Sequence, residues 1–287
     1  MADKHIDDIS GVETTGHEWD GIRELNNPLP RWWLYTFYLT IIWAIGYAIA
    51  YPSIPLLTSN TKGMLGYSSR ADVASELTAA AAAQAKYVDA IKTTDVAGIL
   101  ANTELRTFAI AGGAAAFKVN CVQCHGSGAA GSPGYPNLND DDWLWGGDVA
   151  AIQATLLHGI RYAADTETRT SEMPAYGDIL KPEEIDVAAN YVVSLSGGAA
   201  DAAKAAAGKD VFVNNCAACH GEDGKGLRDF GGPNLTDSIW LHGSGVQAVK
   251  SQMLAPKNGV MPAWGVRLGD ATVKQLAVFV HSLGGGE

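Results

Sequence analysis

Positive charge is scarce in this chain, and cysteine is scarcer. Against 31 aspartates and glutamates stand 20 lysines and arginines, a formal charge of −11. An acidic balance argues against a nucleic-acid binder and favours a basic partner. Four cysteines in 287 residues are too few for a disulfide scaffold. No stretch reads convincingly as a strand. What remains is 47% hydrophobic, rich in alanine, with 33 glycines. That composition excludes a wholly disordered chain and points to small helical modules with many turns. The length allows two small domains plus extra segments.

Charge is missing altogether from Trp32 to Tyr51, a run of 20 residues. A helix of that length reaches about 30 Å, the thickness of a bilayer core. Trp32, Trp33 and Tyr35 at one end, with Tyr47 and Tyr51 at the other, fit interfacial belts. Pro52 and Pro55 then stop the helix. Ala48-Ile49-Ala50 resembles a signal-peptide cleavage site, but the preceding 31 residues are acidic rather than a short basic leader. The run therefore reads as an uncleaved single-pass anchor in membrane lipid. Lys4, Arg23 and Arg31 precede it and Lys62 and Arg70 follow, a weak bias toward an inside N-terminus.

Residues 1–31 form a polar arm and residues 52–104 a connector carrying an Ala-rich helix from Ser68 to about Asp95. Its thin apolar face calls for docking on something else. The remainder repeats itself. Phe117 to Gly126, containing Cys121, Cys124 and His125, aligns with Phe212 to Gly221, containing Cys216, Cys219 and His220. Pro136-Asn137-Leu138 with Trp143 aligns with Pro233-Asn234-Leu235 with Trp240, and Met173-Pro-Ala-Tyr176-Gly with Met261-Pro-Ala-Trp264-Gly. The expectation is two tandem modules, 105–198 and 199–287, joined at Gly197-Gly198. Each begins and ends with a helix, near 105–120 and 182–195, then 203–215 and 270–283, with a short middle helix near 148–158 and 245–254.

C-x-x-C-H attaches haem covalently: two thiols add to the vinyl groups, and the adjacent His supplies the proximal ligand. The two copies use all four cysteines and predict two covalently bound haem c groups. A thioredoxin-like pair lacks its βαβ setting, a zinc site leaves the Met-Pro repeat unexplained, and two independent disulfides are the third rival to a motif that recurs inside a matching module. The sixth ligand is expected from the loop before each last helix. Taken module by module, this gives iron ligands His125 and Met173 for the first haem, His220 and Met261 for the second. A thioether favours reduced iron and raises the potential. Rival ligands are His158 and Met253 on the middle helices. Trp143 and Trp240 either pack at the haem edge, point an indole N–H at a propionate, or are ordinary core. Tyr176 and Trp264 are further candidates for haem packing. Phe117, Phe212, Tyr191 and Phe279 are expected where first and last helices meet. Two six-coordinate irons leave no open position for substrate, so no catalytic residue is assigned and the modules carry electrons.

Each module resembles a small class I cytochrome c. The whole resembles the dihaem subunit III, CcoP or FixP, of cbb3-type cytochrome c oxidases. The resemblance rests on His17-Glu-Trp-Asp-Gly-Ile-Arg-Glu-Leu-Asn-Asn-Pro-Leu-Pro-Arg-Trp-Trp33 and Thr61-Lys-Gly-Met-Leu-Gly-Tyr-Ser-Ser-Arg70, because the haem motif alone does not separate one cytochrome c from another. It implies a mainly α fold: one N-terminal transmembrane helix followed by two cytochrome c domains. It implies a bacterial inner-membrane subunit of a proton-translocating oxidase, with the arm in the cytoplasm and the haem domains in the periplasm. Its implied partners are a cytochrome c donor, the monohaem cytochrome subunit and the haem–copper catalytic subunit that reduces oxygen. The other reading is a stand-alone membrane-anchored dihaem carrier serving another redox enzyme. A dihaem peroxidase needs an exchangeable axial site, against which the two matched Met loops argue.

Overall fold

The computed structural model describes residues 5–286, so Lys4 of the arm lies outside the described residues. The chain divides within one long helix, at Ala82, into two units.

In the first unit the arm is not featureless. β1 (Thr14–Trp19) and β2 (Ile22–Leu25) form an antiparallel hairpin across Asp20-Gly21, correcting the expectation of no strand. Asp20 and Gly21 both take positive φ, as a two-residue hairpin turn demands. The D-G dipeptide was the available signal, set between short runs with little alternation. The apolar run becomes α1 (Arg31–Ala50), 20 residues with none buried in the protein. Thr36 and Thr40 return their hydroxyls to the helix's own carbonyls at 2.9 and 2.7 Å, which leaves a surface fit for hydrocarbon. The connector folds back on the helix end. Met64 and Leu65 donate their amides to the carbonyls of Ile49 and Ala50, which the helix itself leaves unpaired.

α2 (Ser69–Thr93) runs from the first unit into the second, and only Ile91 on it is buried. There follow α3 (Val96–Ala101), capped by Asp95, and α4 (Thr103–Asn120), capped by Asn102. A single turn, α5 (Val122–His125), carries the first haem motif, and α6 (Val149–His158) is capped by Asp148. Next come α7 (Pro182–Leu195), with proline at its first position, and α8 (Ala202–Asn215). The second motif forms α9 (Ala217–His220), followed by α10 (Val246–Leu254), α11 (Gly265–Leu268) and α12 (Asp270–His281). The expected long helices are all present. Their partners are not those expected.

The first helix of the first module, α4, packs along α12, the last helix of the second. α7 and α8, which belong to different modules in sequence, pack along each other. The sequence repeats 105–198 and 199–287 therefore exchange helices in packing. One body consists of α3–α6 together with α11 and α12; the other, lying wholly between them in sequence, consists of α7–α10. We call them the outer and inner bodies. The reason is loop length. Six residues, 196–201, join α7 to α8, and so short a connection leaves two helices as antiparallel neighbours. The outer body also starts earlier than 105, since Ile91, Val96 and Ile99 are buried in its core.

The two helix pairs are built alike. Phe117 meets Phe279 at 5.4 Å between ring centroids, and Phe212 meets Tyr191 at 5.2 Å. In each pair a glycine lets the backbones touch. A Cβ on Gly113 would lie 2.2 Å from the Gln275 carbonyl oxygen, and one on Gly208 would lie 2.1 Å from that of Val187. Where the chain enters and leaves the inner body, its strands run side by side. Ile160 pairs antiparallel with Met261, and the Asn258 side chain bonds both the N–H and the carbonyl of Met173 at 3.3 Å.

Candidate haem sites

Each C-x-x-C-H motif caps the end of the helix before it. Cys121 and Cys216 give their amides to Phe117 and Phe212, and a single turn then carries the chain to the histidine. The four cysteines are free thiols. Burial pushes the Cys121 and Cys216 thiols up to about 11.

The histidines carry the most specific geometry. His125 Nδ1 lies 3.0 Å from the Pro136 carbonyl, and His220 Nδ1 lies 3.1 Å from that of Pro233. A carbonyl only accepts, so Nδ1 holds the proton and Nε2 is left with a lone pair. Burial lowers the pKa of both rings, which favours the neutral, ligating form. The Pro-Asn-Leu repeat thus orients the histidine of each motif through the proline carbonyl, a contact the sequence reading did not assign. The thiol pair, the fixed tautomer and the free Nε2 fit a covalently attached haem. Among the described residues, no three His, Cys, Asp or Glu side chains gather as a metal cluster.

The methionines follow the exchanged helices. Met261 packs against the outer core that contains Cys121, and Met173 packs against the inner core that contains Cys216. Against the expected pairs, Met173 with His125 and Met261 with His220, each methionine thus shares a core with the other module's cysteine, because it travels with the helix that follows it. The rivals have other tasks. His158 is held between Asp165 at 3.3 Å and Glu167 at 3.2 Å. Met253 is 3% exposed in the inner core, and the equivalent position of the outer core is Leu156, 5% exposed, so Met253 serves as packing.

The aromatic candidates divide. Trp143 lies against the outer core and donates its indole N–H to the Gly285 carbonyl, so that N–H is spent on the C-terminal tail. Trp240 packs against the inner core. Tyr176 is buried there, its hydroxyl donating to the Asn215 carbonyl beside Cys216 at 2.7 Å. Trp264 packs on the outer core with the Arg267 guanidinium 4.7 Å over its ring.

The family model for cbb3-type cytochrome c oxidase subunit III matches residues 108–192 and 203–280, and the FixP N-terminal domain matches residues 11–58. The chain is 65% identical over its whole length to the whole of the FixP subunit of Rhizobium meliloti. It is 53% identical to the CcoP subunit of Cereibacter sphaeroides, covering 96% of this chain and 95% of that one. The chain belongs to the FixP/CcoP family. It is subunit III of a cbb3-type cytochrome c oxidase, the electron-accepting cytochrome c subunit and not the catalytic one. The reading as a stand-alone carrier for another enzyme is set aside. Haem c is expected in such cytochrome domains. The N-terminal apolar helix α1 is consistent with a membrane anchor.

Proposed function

We propose that this FixP-type subunit binds two haem c groups crosswise. One is joined to Cys121 and Cys124 with His125 and Met261 as iron ligands, the other to Cys216 and Cys219 with His220 and Met173. The observation that carries this is the doubled lock between proximal histidine and proline carbonyl, with one methionine packed into each core. A haem iron held by His and Met exchanges one electron with no coordination position open to substrate. The protein's share is to fix the imidazole through Pro136 or Pro233, to hold the thioether in a loop stiffened by the following proline, and to exclude water with the packed helix pairs. With α1 spanning the bilayer, the arm lies in the cytoplasm and both bodies lie in the periplasm, where haem is attached. Electrons enter from a cytochrome c donor. They leave toward the monohaem subunit and the haem–copper subunit, and the acidic surface suits a basic donor.

Carbon monoxide tests the ligand pairs. The wild-type haems should not bind it. Met261→Ala should open one site, which should vanish when Cys121→Ala is added and persist with Cys216→Ala. Met173→Ala should behave in the opposite way. Vanishing with the wrong cysteine sinks the crosswise pairing, and ready binding by the wild type sinks His/Met ligation. Co-purification of the intact chain from membranes with haem b and copper proteins tests the partners.

A further inference from the structure

Where the chain enters and leaves the inner body, one side chain ties both methionine loops together. Arg161 follows α6 and donates from Nε to the Gly259 carbonyl and from Nη1 to the Ser171 carbonyl, each at 2.7 Å. Gly259 lies two residues before Met261, and Ser171 two residues before Met173. A guanidinium is planar and its donors stand in a fixed fork. Two carbonyls bonded to it are therefore held at a set spacing and angle, which a flexible ammonium does not impose.

The neighbours of that arginine stitch the same two loops. Ile160 donates its amide to the Met261 carbonyl at 2.9 Å and accepts the Met261 amide at 3.0 Å. Asn258 does the same for Met173 with its side chain: Oδ1 accepts the Met173 amide and Nδ2 donates to the Met173 carbonyl, both at 3.3 Å. Each methionine thus has both backbone groups held by a residue on the passing segment, and Asn258 stands on the Met261 segment itself. Gly159 permits the close approach, since a Cβ there would lie 2.3 Å from the Met261 carbonyl oxygen.

Arg161 holds this place against two penalties. Its φ is +50°, a left-handed backbone that few residues besides glycine, asparagine and aspartate adopt. Its guanidinium is half-buried, and burial lowers its pKa, with the charge of Glu172 opposing. Strain of this kind persists where the surroundings over-determine it. What surrounds Arg161 is the pair of approaches to the two methionines.

We propose that Arg161 is a positioning residue shared by both methionines, coupling their loops so that release of one thioether from iron loosens the other. This rests on the methionine ligation proposed above, and it holds whichever haem each methionine serves. A loop held at its backbone returns the sulfur to iron quickly, and a loosened loop leaves the position open longer to an added ligand. One clip on two loops makes their openings interdependent.

The test uses the full chain, with haem counted as the pyridine haemochrome. Imidazole is added to the ferric protein, and its displacement of methionine is followed by loss of the sulfur-to-iron charge-transfer band. The wild type should show one slow phase for each haem. In Met173→Ala the remaining band belongs to the Met261 haem alone. It should be lost faster than either wild-type phase, on the order of tenfold, the worth of one hydrogen bond from a charged donor. Met261→Ala should do the same to the Met173 haem. Arg161→Gln should accelerate both phases, and adding Met173→Ala to it should bring no further acceleration. Arg161→Lys keeps the charge without the fork and should restore only part of the slow rate. A remaining band in Met173→Ala that is lost no faster than the wild-type phases overturns the coupling, and that result stands even if the Arg161→Gln chain does not fold. Acceleration of one phase alone in Arg161→Gln, or a full further acceleration on adding Met173→Ala, overturns the role of Arg161. Absence of the sulfur band from the wild type overturns the underlying methionine reading instead.

Discussion

The outer and inner bodies are built from the same repeat, yet their chain order differs. In the outer body the order is that of the repeat itself: first helix, haem motif, middle helix, methionine loop, last helix. The inner body begins with its methionine loop and last helix, and only then comes its first helix and haem motif. It is a circular permutation of the outer body, inserted between α6 and Met261. The side-by-side passage of Ile160 past Met261, and of Asn258 past Met173, is the seam of that insertion. Insertions are tolerated where the ends of the inserted body lie close together, and here they do. A haem-binding module of this kind is thus specified by which helices pack around the motif and less by the order in which they are synthesised.

Cutting the chain offers the largest test of this comparison. A fragment spanning 170–258, exported to the periplasm, should take up one covalent haem with a thioether-ligated spectrum, because it contains the whole inner body. A fragment spanning 105–198 holds one motif and one methionine in the expected sequence order, but its helices belong to two bodies. It should give no stable six-coordinate haem. Equal spectra from the two fragments would refute the nested arrangement.

A smaller effect separates the bodies by their helix crossings. Gly113→Ala should loosen α4 from α12, and Gly208→Ala should loosen α7 from α8, each by about 1–3 kcal/mol as an overpacked contact. Hydrogen exchange should show the damage confined to the outer body in the first case and to the inner body in the second. Damage to α7 in the Gly113 variant would tie α4 to the wrong partner.

The smallest effect is in acid, and it has opposite sign in the two bodies. Asp186 of the inner body bridges Lys204 and Lys250 at 2.8 Å, and these bonds lower its pKa to about 2. A lowered carboxylate stabilises the fold above its unfolded pKa of about 4 and loses that as pH falls toward 2. Asp142 of the outer body is raised to about 6, first by burial and then by the charges of Asp237, Asp140 and Asp141. It costs stability at neutral pH, and the cost is relieved as pH falls through 6. Thermal unfolding between pH 3 and 8 should show Asp186→Asn flattening the acid limb and Asp142→Asn raising the neutral plateau. A neutral plateau unchanged in Asp142→Asn would remove the desolvation argument.

Much of this was legible in the sequence. The charge-free run, the two haem motifs and the helix positions all follow from composition and spacing, and α7 at 182–195 lies where the pattern put it. The pairing of the helices did not follow. A repeat says which segments are equivalent and is silent on which copies pack together, since Phe117 fits Phe279 and Tyr191 equally well by type. The short Gly197-Gly198 connection was the usable signal, because it makes α7 and α8 neighbours. The partner of Trp143 was hidden for a similar reason, lying 142 residues away in the C-terminal tail.

The seam also imposes a timetable on biogenesis. The chain is made from its N-terminal end, so α4 and the first C-x-x-C-H motif emerge early. Their packing partner α12 is nearly the last segment to be made. At about 5–20 residues per second, Phe117 waits on the order of ten to thirty seconds for Phe279. During that interval Cys121, Cys124 and His125 follow a helix with one side bare. The second motif has no such interval, because α7 is already present when α8 emerges. Folding therefore runs from the inside outward, and the first motif to be made is the last to be enclosed.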